Sequence, residues 1–338
     1  MRNPLGQVTS YSYDAVGRNT LITDPKGNRT TMGYDVLGRQ TTLTYQDGYQ
    51  VTYTYDANNR LVTQTDTGGV LAYQYTNRNE VSQTNQTGYL TSYQYDAVGN
   101  ETLLHDPDGG RTTSTYDALN RVSTVKNPSN RTFTYSYDAA GRNTTIQLGL
   151  GSVRRFQYDA ASQLTTQIEQ TVAGVALSTQ VDTYNAIGNR TVRVLNNVRT
   201  TWTYDNASRL LGQQTSGAFA TYSYDTVGNT TLKWQQGSSP MTYVFDAANR
   251  ITTLQQGTTR TTFTYDNNGN PTEENAAGGR TTYVYDSANR LTGVVLSTGV
   301  RSTYTYRGDN KRRTLQEAGG VLTTMLWDGE DYLMGKTP

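Results

Sequence analysis

The chain contains no cysteine. That excludes disulfide staples, thiolate metal sites and a cysteine nucleophile. Aliphatic residues are scarce, with Leu, Ile, Val and Phe totalling 59 of 338 residues. No stretch approaches 18 consecutive apolar residues, so no membrane span is expected. A large net charge is absent too, because 29 basic residues face 28 acidic ones. No strong basic patch follows, and nucleic acid is not an expected partner. A low aliphatic content is common in disordered chains, but those also carry a high net charge and few aromatics. Here 27 tyrosines are available to supply the buried area that aliphatics do not.

What is present is a repeat. An aromatic residue marks a turn at Tyr13, Tyr34, Tyr55, Tyr75, Tyr95, Tyr116, Tyr137, Tyr158, Tyr184, Tyr204, Tyr224, Phe245, Tyr265, Tyr285, Tyr306 and Trp327. Successive marks lie 20 or 21 residues apart, with one spacing of 26 between Tyr158 and Tyr184. A fixed period of this length means one supersecondary unit copied end to end. Residues 1–338 are therefore read as a single array of about 16 hairpin units.

Each unit reads as two strands. The residue two before the mark is aromatic in 12 of 16 repeats, and the one between is Ser, Thr or Gln in 12 of 16. Strict alternation places the rings on one face of a strand and the small polar residues on the other. After the mark comes Asp in 13 of 16 repeats, then two variable residues, then Gly or Asn in 13 of 16. Ser162, Ser208 and Asp331 occupy that last position in the remainder. Asp opens a type I turn and its carboxylate accepts the turn's amides, while Gly and Asn tolerate the left-handed region. The pattern predicts a hairpin closed by a type I turn and a left-handed bulge residue. Arg follows at Arg18, Arg39, Arg60, Arg121, Arg142, Arg209, Arg250 and Arg290, and is read as an ion pair across the turn to the Asp. A second turn, such as Asp24-Pro25-Lys26-Gly27 or Asp106-Pro107-Asp108-Gly109, closes each unit. The fold class expected is all-β, a long curved antiparallel sheet. Rings are expected to stack from hairpin to hairpin and hold it together. About 32 strands spaced by roughly 4.8 Å would make a ribbon one strand high.

The run Tyr-Asp-x-x-Gly-Arg, intact at Tyr13–Arg18, Tyr34–Arg39 and Tyr137–Arg142, resembles the tyrosine-aspartate (YD, or Rhs) repeat family. The second turn, Asp24-Pro25-Lys26-Gly27-Asn28-Arg29-Thr30, matches that family as well. The resemblance implies a ribbon of hairpins that spirals into a hollow shell. Members include bacterial polymorphic toxins, B/C components of insecticidal toxin complexes, wall-associated proteins and teneurins. In the toxins the shell encloses a C-terminal toxic domain. The family's self-cleaving aspartyl protease motif has no match here, and Met1-Arg2-Asn3-Pro4 lacks a signal peptide's apolar core. The expectation is a wall segment of something longer, secreted or at the cell surface by signals outside it. Its expected partners are the remaining shell segments and an enclosed toxin or effector polypeptide.

No site of chemistry is expected: no catalytic residue, no cofactor and no metal. His105, the sole histidine, sits at a turn without a nucleophile motif. Asp106 and Asp108 lack the further oxygens and distal Glu of a calcium loop. The alternative role is an adhesive array that binds a glycan or cell-surface ligand. The tyrosine face suits either reading, packing the sheet or lining a surface. The long spacing, Glu169 to Leu177, is read as an extended outer loop.

Overall fold

A computed structural model describes residues 1–338. It is all-β, with 32 antiparallel strands in one open sheet and no helix. The hairpin of β13 (Thr132–Tyr137) and β14 (Asn143–Leu148) stands for the repeat. The Gly141 amide donates to the Asp138 carbonyl at 3.1 Å, and the Asp138 amide donates to the Arg142 carbonyl at 2.9 Å. Gly141 has φ of 81°, so the type I turn with a left-handed residue forms as the sequence predicts. The Asp138 carboxylate accepts from the amides of Ala140 at 2.9 Å and Arg142 at 3.0 Å. Just beyond, the register shifts between Ser136 and Tyr137, a bulge that bends the return strand.

The left-handed position is kept where the residue changes. Ser162 (φ 63°) and Ser208 (φ 62°) adopt it in place of Gly or Asn. Asp331 does not. In the last hairpin Asp328 pairs with Asp331, and Gly329-Glu330 alone close the turn. The long spacing also differs from its sequence reading. Instead of a loop, it lengthens the hairpin of β16 (Leu164–Thr171) and β17 (Ala176–Tyr184). The closing turn Thr171–Gly174 has the ordinary form, with Gly174 at φ 87°. Period-two pairing continues as long as both strands supply alternating residues, so inserted residues extend the ladder.

Alternation of the two faces is clear. Thr54, Gln94, Ser136, Thr264 and Thr305 are exposed, whereas the following rings Tyr55, Tyr95, Tyr137, Tyr265 and Tyr306 are half-buried. Two compact units are distinguishable. One comprises Met1–Thr91 with Tyr243–Pro338, and the other Ser92–Thr242. In the first, the most buried side chains include Val51, Gln64, Leu71, Gln86, Arg307 and Leu326. In the second they are few: Tyr93, Leu103, Val153 and Asp182. Asp182 is held by Arg193 at 2.9 Å and Arg190 at 3.1 Å.

Candidate functional site

Two features stand out from the repeat upward: a ladder that ties each repeat to the next, and a seam inside the first unit. The ladder runs through the arginine after the left-handed residue. In all eight repeats that have it, Arg Nε donates to the Asp Oδ2 of its own turn at 2.6–2.8 Å. The ion pair read from the sequence is therefore present. The same guanidinium lies over the marked ring of the following repeat, 4.4–5.1 Å from its centroid. Its Nη1 reaches the next turn's carbonyl, as from Arg142 to Asp159 at 3.2 Å. The ring's hydroxyl in turn donates backward, as from Tyr137 to the Val122 carbonyl at 2.8 Å. Trp327 does the same with Nε1 to Arg312 at 2.8 Å.

This corrects the expected mode of cohesion. The recurring partner of a marked ring is a cation, not another ring. Ring pairs occur at particular places, such as Tyr73–Tyr75 and Phe219–Trp234. The bulged hairpin places the arginine directly above the neighbouring ring, where the guanidinium plane satisfies a carboxylate and a π face together. Hydrogen bonds from the Arg121 side chain and amide hold Asp117 below the usual carboxylate range. Where Arg is replaced, smaller donors stand in, as Asn100 Nδ2 on Asp96 at 2.9 Å. In the fourth repeat the roles reverse: Thr76 Oγ1 donates to Glu80 Oε2 at 2.7 Å.

The seam joins second turns of the first four repeats to hairpins eleven or twelve repeats later, all within the first unit. Lys26 Nζ meets Asp266 at 3.1 Å, across 240 residues of sequence. Asn268 Nδ2 donates to Asp24 Oδ2 at 2.6 Å. Arg290 lies over Tyr49, 4.8 Å from its centroid. Asp66, whose side chain is 3% exposed, accepts the Gly308 amide at 2.8 Å and pairs with Arg313. Gln86 Nε2 donates to the Met325 carbonyl at 2.7 Å, and its Oε1 accepts from Arg307. At Gly308 an added Cβ would lie 2.4 Å from Val51 Cγ1, so this contact admits only glycine. In this unit the sheet is thus not one strand high, as the sequence reading supposed, but docks edge on edge. Burial pushes Tyr49, Tyr53 and Tyr73 up to about 12.

Sequence reasoning missed the seam, although a signal was present. Arg307 stands where the repeat calls for Asp, and Lys311 where it calls for Arg. Local rules broken in this way mark places where something else is satisfied. The residues considered for chemistry lie elsewhere. His105 ends β10 (Glu101–His105), paired with Ser92 and Arg111. Asp106 is engaged by its own turn, accepting the amides of Asp108 at 2.9 Å and Gly110 at 2.8 Å.

The sequence profile of the RHS repeat matches residues 1–29, 34–71, 72–114, 116–152 and 245–281, more than half of the chain. The chain belongs to the RHS repeat family. No curated protein matches this RHS chain. Among solved structures, it is similar to the crystal structure of TcdB2-TccC3-TEV, at 17% identity and a TM-score of 0.57 over 94% of its length. TcdB2-TccC3 without its hypervariable C-terminal region matches at 16% identity and a TM-score of 0.57, again over 94%. A Photorhabdus luminescens Tc holotoxin pore carrying a TccC3 mutation matches at 16% identity and a TM-score of 0.54 over 95%. The RHS chain covers 21–22% of the length of those chains. The likeness concerns the fold.

Proposed function

We propose that this RHS segment is a non-enzymatic wall element of a container that encloses and helps deliver a C-terminal toxin or effector polypeptide. The observation that carries this reading is the seam. A ribbon held together by an Arg-on-Tyr ladder, whose edges dock on each other at an offset of eleven or twelve repeats, builds a wall taller than one strand. Its partners in this reading are the enclosed polypeptide and further RHS segments, and its place is outside the producing cell or on its surface. Family membership and the likeness to the TccC3-containing structures support it.

The test is protease protection in the full reading frame. The region following the repeats should survive digestion far longer in the intact protein than when expressed alone. Replacing Asp66 and Arg313 together should shorten that survival. Equal digestion rates for the enclosed and free forms would remove the reading.

A further inference from the structure

One groove in the second unit lies outside the ladder and on the opposite face from its rings. It spans β19 (Val198–Tyr204), β20 (Leu210–Thr215) and β21 (Ala218–Tyr224). Two adjacent cross-strand rows form its floor and walls. Thr203, Gly212 and Thr221 make one row, and Thr201, Gln214 and Phe219 the other. The cavity between them measures about 290 Å³. That is near the lower end of small-molecule sites, roughly 300–1,000 Å³.

Gly212 opens it. The residue is in mid-strand and its φ is outside the left-handed range, so the backbone does not require glycine. Glycine inside a strand weakens the strand, and it often marks a place where a ligand or another backbone comes close. At Gly293, another mid-strand glycine, the Arg301 side chain fills the space at 2.9 Å. At Gly212 the nearest atom to an added Cβ is the Thr203 hydroxyl at the rim, also 2.9 Å away. Phe219 forms one wall, and Trp234 braces it edge-on at 5.0 Å and 80°. The side chains of Thr201, Thr203, Gln214 and Thr221 make no hydrogen bond within the protein.

We propose that this groove is a binding site for a neutral saccharide. An aromatic wall suits the C–H face of a sugar ring, whose partial positive charge meets the negative π face. Around it stand the hydroxyls of Thr201, Thr203 and Thr221, each a donor and an acceptor, and the Gln214 carboxamide with both. Such a set matches vicinal hydroxyls, and no charged side chain lines the groove to select an acidic sugar. Phe219 supplies the stacking platform, Gln214 and the threonines set orientation, and Gly212 leaves room for the ring.

The test is titration of the intact chain with cellotriose, maltotriose and chitotriose, followed by calorimetry and saturation-transfer NMR. At least one should saturate, with ring protons nearest Phe219 showing the strongest transfer, and trigalacturonate should not compete. F219A should weaken binding about tenfold, the effect of one aromatic contact. G212V, which fills the groove and crowds the Thr203 hydroxyl, should abolish binding while the chain keeps its β-sheet circular dichroism. Absence of saturation by all three sugars overturns the assignment, and so does saturation that survives G212V or an affinity that F219A leaves unchanged. Q214A is a second variant without a packing role, expected to weaken binding with folding intact.

Discussion

The guanidinium of Arg121 sits 4.4 Å from the centroid of the Tyr137 ring, and the hydroxyl of that ring donates to Val122, the residue after the arginine. Each group thus fixes the other across a repeat boundary. A double-mutant cycle between R121A and Y137L should return a coupling of about 0.5–1 kcal/mol in chemical denaturation. R121K should fall nearly as far as R121A, since an ammonium cannot lie flat on the ring while holding Asp117. Additive losses in the cycle would mean that the stacking is incidental.

Gly141 tests the turn. Nothing lies within 4 Å of an added Cβ, so a substitution there meets only the backbone demand of φ 81°. G141V should cost about 1–2 kcal/mol, whereas A139V at the exposed turn tip should be nearly neutral. Conversely, Ser208 holds φ of 62° with a side chain, and S208G should be stabilising or neutral. Equal unfolding midpoints for G141V and A139V would count against the turn geometry.

Asp66 tests the seam. It is buried, and it pairs with Arg313 and the Gly308 amide. D66A should destabilise the first unit by on the order of 3 kcal/mol, because it leaves buried donors unpaired. Hydrogen exchange should quicken at Arg307–Arg313 and around Gln86, while Ser92–Thr242 keeps its protection. G308A should give the same exchange pattern through steric conflict with Val51.

Half-buried tyrosines set an alkaline limit. Tyr49, Tyr53 and Tyr73 are held near 12, mainly because burial disfavours the phenolate. A pKa raised in the folded state contributes stability that is complete below the unfolded value, about 10, and is lost as pH rises toward 12. Denaturation midpoints of the first unit should therefore be flat below pH 10 and fall between 10 and 12. The fall should coincide with tyrosinate absorbance, and Y73F should make it shallower.

The hairpin, its turn and its face pattern were legible in the sequence because they depend on contacts within about 20 residues. Asp138, Gly141 and Arg142 interact within one turn, so their spacing carried the geometry. The Arg-over-Tyr contact was harder to see. It depends on how far one bulged hairpin is rotated relative to the next, which no spacing encodes. The seam was hidden for a stronger reason. Asp66 and Arg313 are 247 residues apart, and no local spacing encodes a contact at that separation. Its traces were Arg307 in an aspartate's place and Lys311 in an arginine's. The 169–177 segment misled because the longer spacing was read as a loop, although its ends still alternate.

The most direct measurement is zero-length carbodiimide cross-linking of the monomeric chain, followed by peptide mass spectrometry. Lys26 and Asp266 lie 3.1 Å apart across the seam, and Lys311 and Glu330 lie 2.9 Å apart in neighbouring hairpins. Both links should be recovered within single chains, and D66A should reduce the first while sparing the second. Recovery of the Lys311–Glu330 link without any Lys26–Asp266 link would contradict the edge-on-edge docking on which the account rests.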